Sequence, residues 1–228
     1  MKNFVIIGAS SGIGKQLASQ LSKTEATVFG TFYKTENTDS VSLHYLNVLD
    51  ENADLSFLPD TIDGLAYCPG SINLKPFARI KPEEFLQDYQ LQVLGAIKII
   101  QALLPKLKKP EHASIVLFST VAVQTGFNYH TIVAASKGAI EGLTRALAAE
   151  LAPNIRVNCI APSITDTPLA ATLLSTDEKK TANAQRHPLK KIGSVGDIAN
   201  MAEFLLTDKS AWITGQIFQV DGGMSGLR

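Results

Sequence analysis

The chain has 228 residues, of which 45% are hydrophobic and 18% are charged, and its 21 basic and 21 acidic side chains give a formal net charge of zero. This composition is typical of a globular protein, and the length suits one domain with a sizeable core. A neutral chain has no long-range field that recruits nucleic acid or an acidic membrane, so neither is expected as a partner.

Neither secretion nor membrane insertion is expected from the distribution of apolar residues. The apolar run at residues 4–7 is too short for the core of a signal peptide, and no window approaches the length of a membrane span. Cys68 and Cys159 lie in apolar segments that are predicted strand ends, and we interpret them as reduced core residues of a cytoplasmic protein. No metal site is predicted.

Short apolar runs alternate with helical patterns along the whole chain, which predicts a parallel sheet with helices on both faces. Seven strands are predicted, at residues 4–7, 27–31, 41–46, 64–68, 114–118, 155–160 and 216–220. Helices are predicted at residues 13–22, from Pro82 to about residue 108, at 132–151, and at 198–206 after a capping signal at Ser194.

Two connections differ from this pattern. The polar link 32–40 is too short for a full crossover helix, and the segment 165–191 is polar without clear periodicity, which indicates a mobile flap over a substrate site. Because no repeat or linker divides the chain, we expect residues 1–228 to form a single domain.

The turn after the first strand is rich in glycine and serine. It contains, in order, Gly8, Ser10, Ser11, Gly12, Ile13 and Gly14. Glycine allows a tight strand-to-helix turn and the close approach of a pyrophosphate, and the amides and dipole of a helix start favour an anion. In this context the spacing predicts a diphosphate site, with a purely structural turn as the alternative.

The spacing Gly-x-x-x-Gly-x-Gly resembles that of the short-chain dehydrogenase/reductase family. The likeness continues in Cys68-Pro69-Gly70, in the segment 156–163 that ends in Ala161-Pro162-Ser163, in Thr214-Gly215-Gln216 and in Val220-Asp221-Gly222-Gly223. The resemblance covers essentially the whole chain. It implies an α/β single-domain Rossmann fold with a doubly wound parallel sheet of about seven strands, a nicotinamide dinucleotide cofactor, and assembly into a homodimer or homotetramer.

The end of the second strand bears on the choice of cofactor. Phe32 stands where members that prefer NAD carry an acid, so no carboxylate would repel a 2′-phosphate, and Lys34 is available as a charged donor. We therefore expect NADP(H) to be preferred, with NAD(H) possible. The alternative for Lys34 is a solvated loop lysine.

The resemblance also implies where the rest of the dinucleotide lies. Asn47 and Val48 match the segment that contacts adenine, although an aspartate is more usual there. Pro69 and Gly70 match the family's Asn-Ala-Gly segment. Pro162, Thr165 and Thr167 match the segment that holds the carboxamide and the pyrophosphate, with Ser163 in place of the usual glycine.

The family uses an asparagine, a serine, a tyrosine and a lysine in catalysis, and by resemblance only the lysine is intact here. Lys137 matches the lysine that holds the nicotinamide ribose, the alternative being an exposed lysine paired with Glu141. Thr120 takes the serine position, where it could bind the substrate oxygen or local backbone. Gln92 takes the asparagine position, which maintains a helix distortion and a relay water. Val133, one turn before Lys137, takes the tyrosine position and has no titratable proton.

Two residues just ahead of the helix could replace the lost donor. Tyr129 and His130 lie eight and seven residues before Lys137, and divergent enoyl reductases of the same family carry their tyrosine seven before the lysine. Histidine titrates near neutral pH, which suits proton transfer. The alternative is a Tyr-His pair that packs over the helix start.

Two functions remain open at this point. The first is an NADP(H)-dependent oxidoreductase that reduces a carbonyl or conjugated C=C of a small organic substrate with a non-standard proton donor. The second is a catalytically silent nucleotide-binding subunit or cofactor sensor, which could pair with an active homologue.

Overall fold

The first strand shows how the sequence builds two apolar layers. Phe4 and Ile6 point to one face of the sheet and Val5 and Ile7 to the other, because successive side chains of a strand alternate. All four are buried. A strand that is apolar on both faces is typical of a parallel sheet covered by helices on both sides.

The computed structural model describes residues 1–36 and 41–227, which fold around a seven-stranded parallel sheet in the order β3-β2-β1-β4-β5-β6-β7. In chain order the strands are β1 (Lys2–Ile7), β2 (Ala26–Phe32), β3 (Leu43–Tyr45), β4 (Gly64–Tyr67), β5 (Ala113–Phe118), β6 (Ile155–Pro162) and β7 (Ile217–Val220). The helices are α1 (Gly12–Leu21), α2 (Pro82–Tyr89), α3 (Gly95–Leu107), α4 (Ala122–Thr125), α5 (Thr131–Leu151), α6 (Asp177–Gln185) and α7 (Val195–Leu206).

Helices cover both faces of the sheet. On one face α1 and α7 pack with Phe4 and Ile6, and on the other α3 and α5 pack with Val5 and Ile7. The predicted single-domain Rossmann fold with a doubly wound parallel sheet is confirmed. Strand order reverses between β1 and β4, and the carboxyl ends of strands at such a point form the crevice where ligands bind in open α/β sheets.

The long helix predicted from Pro82 to about residue 108 is interrupted. Its middle, Gln90–Leu94, is a π-helical turn between α2 and α3. The Tyr67 hydroxyl from β4 donates to the carbonyl of Leu91 at 2.7 Å, so a side chain enters the helical hydrogen-bond ladder there. A Cβ on Gly95 would lie 2.4 Å from that hydroxyl, which requires glycine at the next turn.

The segment 165–191 contains a helix that the sequence did not predict. Helix α6 begins after Thr176, whose hydroxyl accepts from the amide of Lys179 at 3.3 Å. None of its residues is buried, so it has no apolar stripe that periodicity could detect.

Several boundaries also move. Strand β3 keeps only the residues that pair with β2, whereas β6 extends to Pro162 because its last residues pair with β7. Cys159 therefore lies within β6 and not at its end. The capping box at Ser194 and Asp197 is present and starts α7 at Val195. Residues 37–40 of the predicted link 32–40 lie outside the described residues. Within residues 1–36 and 41–227, no helix combines the length and apolar character that crossing a bilayer requires.

Candidate functional site

The glycine-rich turn between β1 and α1 depends on close packing of backbone on backbone. Gly8 and Gly12 have φ angles of 80° and 54°, in the left-handed region that favours glycine. A Cβ on Gly14 would lie 2.2 Å from the carbonyl oxygen of Gly8. The Thr31 hydroxyl accepts from the amide of Gly8 at 3.0 Å and ties the turn to β2.

The start of α1 leaves its first amides open to a ligand. Ser11 precedes the helix in an extended conformation, and its side chain makes no capping hydrogen bond. Ser11 is exposed and Ser10 is half-buried. Amides of a first helical turn that lack a capping side chain are available for an anion.

A cleft of about 400 Å³ opens beside this turn, over the carboxyl ends of the strands. It brings together ten of the residues singled out in the sequence: Ile13, Gly70, Gln92, Thr120, Tyr129, His130, Lys137, Pro162, Thr165 and Thr167. The cations of its wall are Lys137 and Arg186, and none of its described lining residues is a carboxylate.

Lys137 lies on α5 and reaches into this cleft. Burial, only partly offset by nearby groups that include Asp88, lowers the pKa of its ammonium to about 8. The predicted alternative, a pair with Glu141, is not formed. Glu141 instead accepts from the Ser119 hydroxyl at 2.7 Å and from the side-chain amide nitrogen of Gln124.

Gln92 belongs to the π-helical turn, so the helix distortion that the resemblance implied is retained. Its amide nitrogen donates to Asp88 at 2.7 Å, and Asp88 also accepts from the Ser71 hydroxyl. The side-chain oxygen of Gln92, Oε1, is buried and has no hydrogen-bond partner among the described residues. This oxygen and the Lys137 ammonium both lie within 4 Å of the point that a Cβ on Gly70 would occupy, so an uncommitted acceptor and the lysine face the same space.

Thr120 follows β5 and makes the local backbone contact that was the alternative to substrate binding. It lines the cleft, and its hydroxyl oxygen accepts from the amide of Ala122 at 3.3 Å. Its proton is available to a ligand, because a hydroxyl can accept and donate at once. Val133 is buried in the same wall, one turn before Lys137.

Tyr129 and His130 stand at the rim, at the start of α5. Tyr129 is 56% exposed and has a φ of 71°, uncommon for a residue with a side chain. One imidazole nitrogen of His130, Nδ1, lies 2.8 Å from the carbonyl oxygen of Asn128, and the ring edge meets Phe127. Both residues line the cleft.

Ser163, in the loop after β6, pairs with a histidine after α6 that sequence reasoning missed. The Ser163 hydroxyl lies 2.8 Å from Nε2 of His187, which is 2% exposed and lines the cleft with it. The only available signal was a histidine before a proline in a segment without periodicity. In the same loop, Thr165 donates to the carbonyl of Ser163 at 3.0 Å, and Thr167 accepts from the amide of Ala170 at 3.3 Å.

Four singled-out residues beyond the glycine turn lie outside the cleft lining. Pro69 packs against Gly8, since a Cβ on that glycine would lie 3.3 Å from the proline ring, and Lys34 is exposed beyond the end of β2. Asn47 is bonded to the side chain of Asp50 at 2.6 Å, and the next residue, Val48, is buried. These residues extend from the cleft along the strand ends towards β2 and β3.

The two thiols are free and poorly suited to chemistry. Burial raises the pKa of both Cys68 and Cys159 to about 12, so they stay protonated at neutral pH. This agrees with their interpretation as reduced core residues.

The fold and the glycine turn define a Rossmann-type nucleotide-binding domain with a substrate-sized cleft beside the turn. The family model for enoyl-(acyl carrier protein) reductase matches residues 50–225. The chain is 31% identical to the 3-oxoacyl-[acyl-carrier-protein] reductase FabG of Thermotoga maritima, over 96% of each chain, and 30% identical to the L-xylulose reductase of Caenorhabditis elegans, over 98% of this chain and 96% of the other. It belongs to the short-chain dehydrogenase/reductase family of oxidoreductases.

Solved structures agree with this assignment. A short-chain dehydrogenase/reductase from Mycobacterium ulcerans superimposes with a TM-score of 0.87 at 25% identity, over 100% of this chain and 90% of the other. ElxO with NADP bound gives 0.87 at 26% identity, over 98% of both chains. A tyrosine-to-phenylalanine variant of ElxO with NADPH bound gives 0.85, also at 26% and over 98% of both chains. The family binds NAD(P)(H), acts on small molecules and is commonly oligomeric.

Proposed function

We propose that this protein is an NADP(H)-dependent oxidoreductase that reduces a carbonyl or a conjugated C=C of a small organic substrate. The observation that carries the proposal is the position of Lys137. Its ammonium lies in a cleft whose wall includes Ile13 of the glycine turn, so one elongated ligand would meet both this cation and the open amides at the start of α1.

The residues present fit a dinucleotide. The amides around Ser10, Ser11, Gly12 and Ile13 would hold the diphosphate, and Lys137 would donate to the hydroxyls of the nicotinamide ribose. Asn47 and Val48 would contact the adenine, and Pro69 and Gly70 would contact the ribose attached to it. Pro162, Thr165 and Thr167 would hold the carboxamide. The reduced nicotinamide supplies hydride when bound.

A preference for NADP(H) is supported by charge at the end of β2. Lys34 is exposed two residues beyond the strand, and Phe32 and Tyr33 provide no carboxylate there. A lysine beside a 2′-phosphate forms a charge-assisted hydrogen bond. Lys34→Ala is therefore expected to weaken NADPH binding and leave NADH binding unchanged in a fluorescence titration. Tighter binding of NADH than NADPH by the wild type would refute the preference.

The substrate would bind between Thr120 and the nicotinamide side of the cleft. Thr120 would donate to the substrate oxygen, and Gln92 would hold a water between its free carbonyl oxygen and Lys137. Val133 cannot supply a proton, so the donor must be another group. The sequence offered Tyr129 and His130 as candidates for this proton donor. Residues 165–191 would cover the substrate, with Leu169 and Leu173 providing an apolar contact.

The test is oxidation of NADPH with a panel of ketones and enones, together with a cofactor titration of Lys137→Ala. Turnover of at least one substrate class and weaker cofactor binding by the variant are expected. Cofactor affinity that is unchanged in Lys137→Ala would remove the ribose role.

Val133 favours a second candidate, a catalytically silent nucleotide-binding subunit or cofactor sensor. A silent subunit is expected to bind NADPH normally and to show no oxidation of NADPH with any substrate. In either case we propose a homodimer or homotetramer through α5 and the edge strand β7, which has no neighbour on its outer side among the described strands. Light scattering after gel filtration measures this directly.

A further inference from the structure

Ser163 stands beside the residue that would bind the substrate oxygen. It follows β6 directly, and Thr120 follows the neighbouring strand β5. The amide of Val121 donates to the carbonyl of Pro162 at 3.1 Å, which holds the two strand ends together. Paired strands lie about 4.8 Å apart. The hydroxyls of Thr120 and Ser163 therefore occupy adjacent strand ends, and both line the cleft.

The hydroxyl of Ser163 is coupled to a fixed imidazole. Nδ1 of His187 lies 2.8 Å from the carbonyl oxygen of Asn183, which can only accept, so Nδ1 carries a proton. Nε2 lies 2.8 Å from the Ser163 hydroxyl. The neutral ring accepts there from the serine, whose hydroxyl also has the weakly accepting Met224 sulfur at 3.1 Å, and the imidazolium donates there to the serine. The same contact can thus carry a proton in either direction.

One carboxylate, that of Asp221, lies near His187. Asp221 follows β7. Burial opposes its ionisation, but hydrogen bonds from Ser225 and Gly223 and the nearby His187 together lower the pKa of this carboxyl. Arg186 precedes His187 in the chain, and its guanidinium lies 5.4 Å from the centre of the Phe127 ring. The Asp221 carboxylate is close enough to His187 for the two groups to interact electrostatically.

We propose that Ser163 donates the proton to the substrate oxygen and that His187 replaces it. This inference rests on the proposed function. When the substrate carbon accepts hydride, the C=O electron pair moves to oxygen. That oxygen takes the Ser163 hydroxyl proton, the Ser163 oxygen takes the Nε2 proton of the imidazolium, and a proton from solvent in the cleft then returns to Nε2 through the Ser163 hydroxyl. Ser163 then performs the step for which Val133 has no group, and His187 acts through it.

The experiment compares Ser163→Ala, Ser163→Thr and His187→Gln with the wild type, with His112→Gln as a control because His112 is exposed and outside the cleft. Loss of a general acid lowers rates by about 10²–10⁴-fold. Ser163→Ala is expected to lower kcat at least 10²-fold, with Kd for NADPH within twofold of the wild type. Ser163→Thr restores the hydroxyl and most of the rate. His187→Gln, which cannot titrate, is expected to remove the decline of kcat towards high pH.

A second readout is independent of turnover. In the absence of cofactor, the imidazole resonances of His187 in an NMR titration are expected to shift in Ser163→Ala and not in His112→Gln. Unchanged resonances would overturn the hydrogen bond on which the relay depends. A kcat within twofold of the wild type in both Ser163→Ala and His187→Gln overturns the relay and leaves the proposed function standing. A wild type that binds NADPH but reduces no ketone or enone overturns both.

Discussion

Replacing Gly14 with alanine tests whether the turn between β1 and α1 depends on close backbone contact. The new Cβ would lie 2.2 Å from the carbonyl oxygen of Gly8 and 3.3 Å from the Cβ of Cys68. Ordinary contact begins near 3.4 Å, so the turn and the helix must separate by about 1 Å. The nearest atom belongs to the backbone, so rotation of a side chain cannot relieve the overlap.

Two opposing effects determine the stability of this variant. Overpacking costs about 1–3 kcal/mol, and the clash with backbone favours the upper part of that range. Alanine in place of helical glycine returns about 0.5–1 kcal/mol. The net loss is therefore roughly 2 kcal/mol, which for a chain of this size lowers Tm by about 4–8 °C. Since the displaced turn carries the amides that would hold the diphosphate, Kd for NADPH is expected to rise at least tenfold, about 1.4 kcal/mol.

Gly142→Ala is the matched control. Gly142 is exposed on α5, and nothing lies within 4 Å of its Cβ position among the described residues. Because its Cβ would meet nothing within the described part of the protomer, the same substitution there is expected to leave NADPH binding unchanged and to cause no loss of stability within the protomer. Thermal unfolding and fluorescence titration measure both variants. If Gly14→Ala melts with the wild type and binds NADPH equally well, the close-contact reasoning is wrong.

Three further predictions concern the cleft and one helix end. In the Ser163→Ala background, Val133→Tyr is expected to raise the rate of ketone reduction by about 10²-fold, because tyrosine supplies a proton. Val133→Phe, which supplies none, is expected to leave the rate low. Equal rates of the two double variants would contradict this. Lys137 has a pKa of about 8 in the folded protein against 10.5 as its ordinary value. At a pH between the two values the unfolded chain binds more protons than the folded one, so the free energy of unfolding increases as the pH rises. Relative to Lys137→Met, the increase is up to roughly 3 kcal/mol. Urea unfolding of the wild type and of Lys137→Met at pH 7.5 and 10 measures the difference. Ser194→Ala removes the hydroxyl that accepts from the amide of Asp197 and is expected to cost about 1 kcal/mol, or about 2–4 °C in Tm. An unchanged melting curve would show that the cap contributes nothing.

Much of the fold could be predicted because it is encoded in short-range patterns. Apolar runs at residues 4–7 and 114–118 indicated buried strands, and the structure has β1 and β5 there. The capping signal at Ser194 indicated a helix start, and α7 begins at the next residue. Each of these signals lies within a few residues of the element that it predicts.

The interrupted helix and helix α6 could not be predicted in this way. At the π-helical turn the Tyr67 hydroxyl bonds Leu91, a residue 24 positions away. Helix α6 buries none of its residues, so its sequence has no periodic apolar face. Neither the distant partner of the π-helical turn nor the presence of α6 is indicated by the residues around these elements.

The sequence by itself determined that a glycine-spaced turn precedes the first helix and that Lys137 and Val133 share one face of a later helix, because a turn and a helix face depend on spacings of a few residues. Only the tertiary structure decided that Ser163 stands beside Thr120 and that His187 meets Ser163. The first contact depends on the pairing of β5 with β6 and the second on how the segment after α6 folds back over the strand ends, and neither is set by a local pattern.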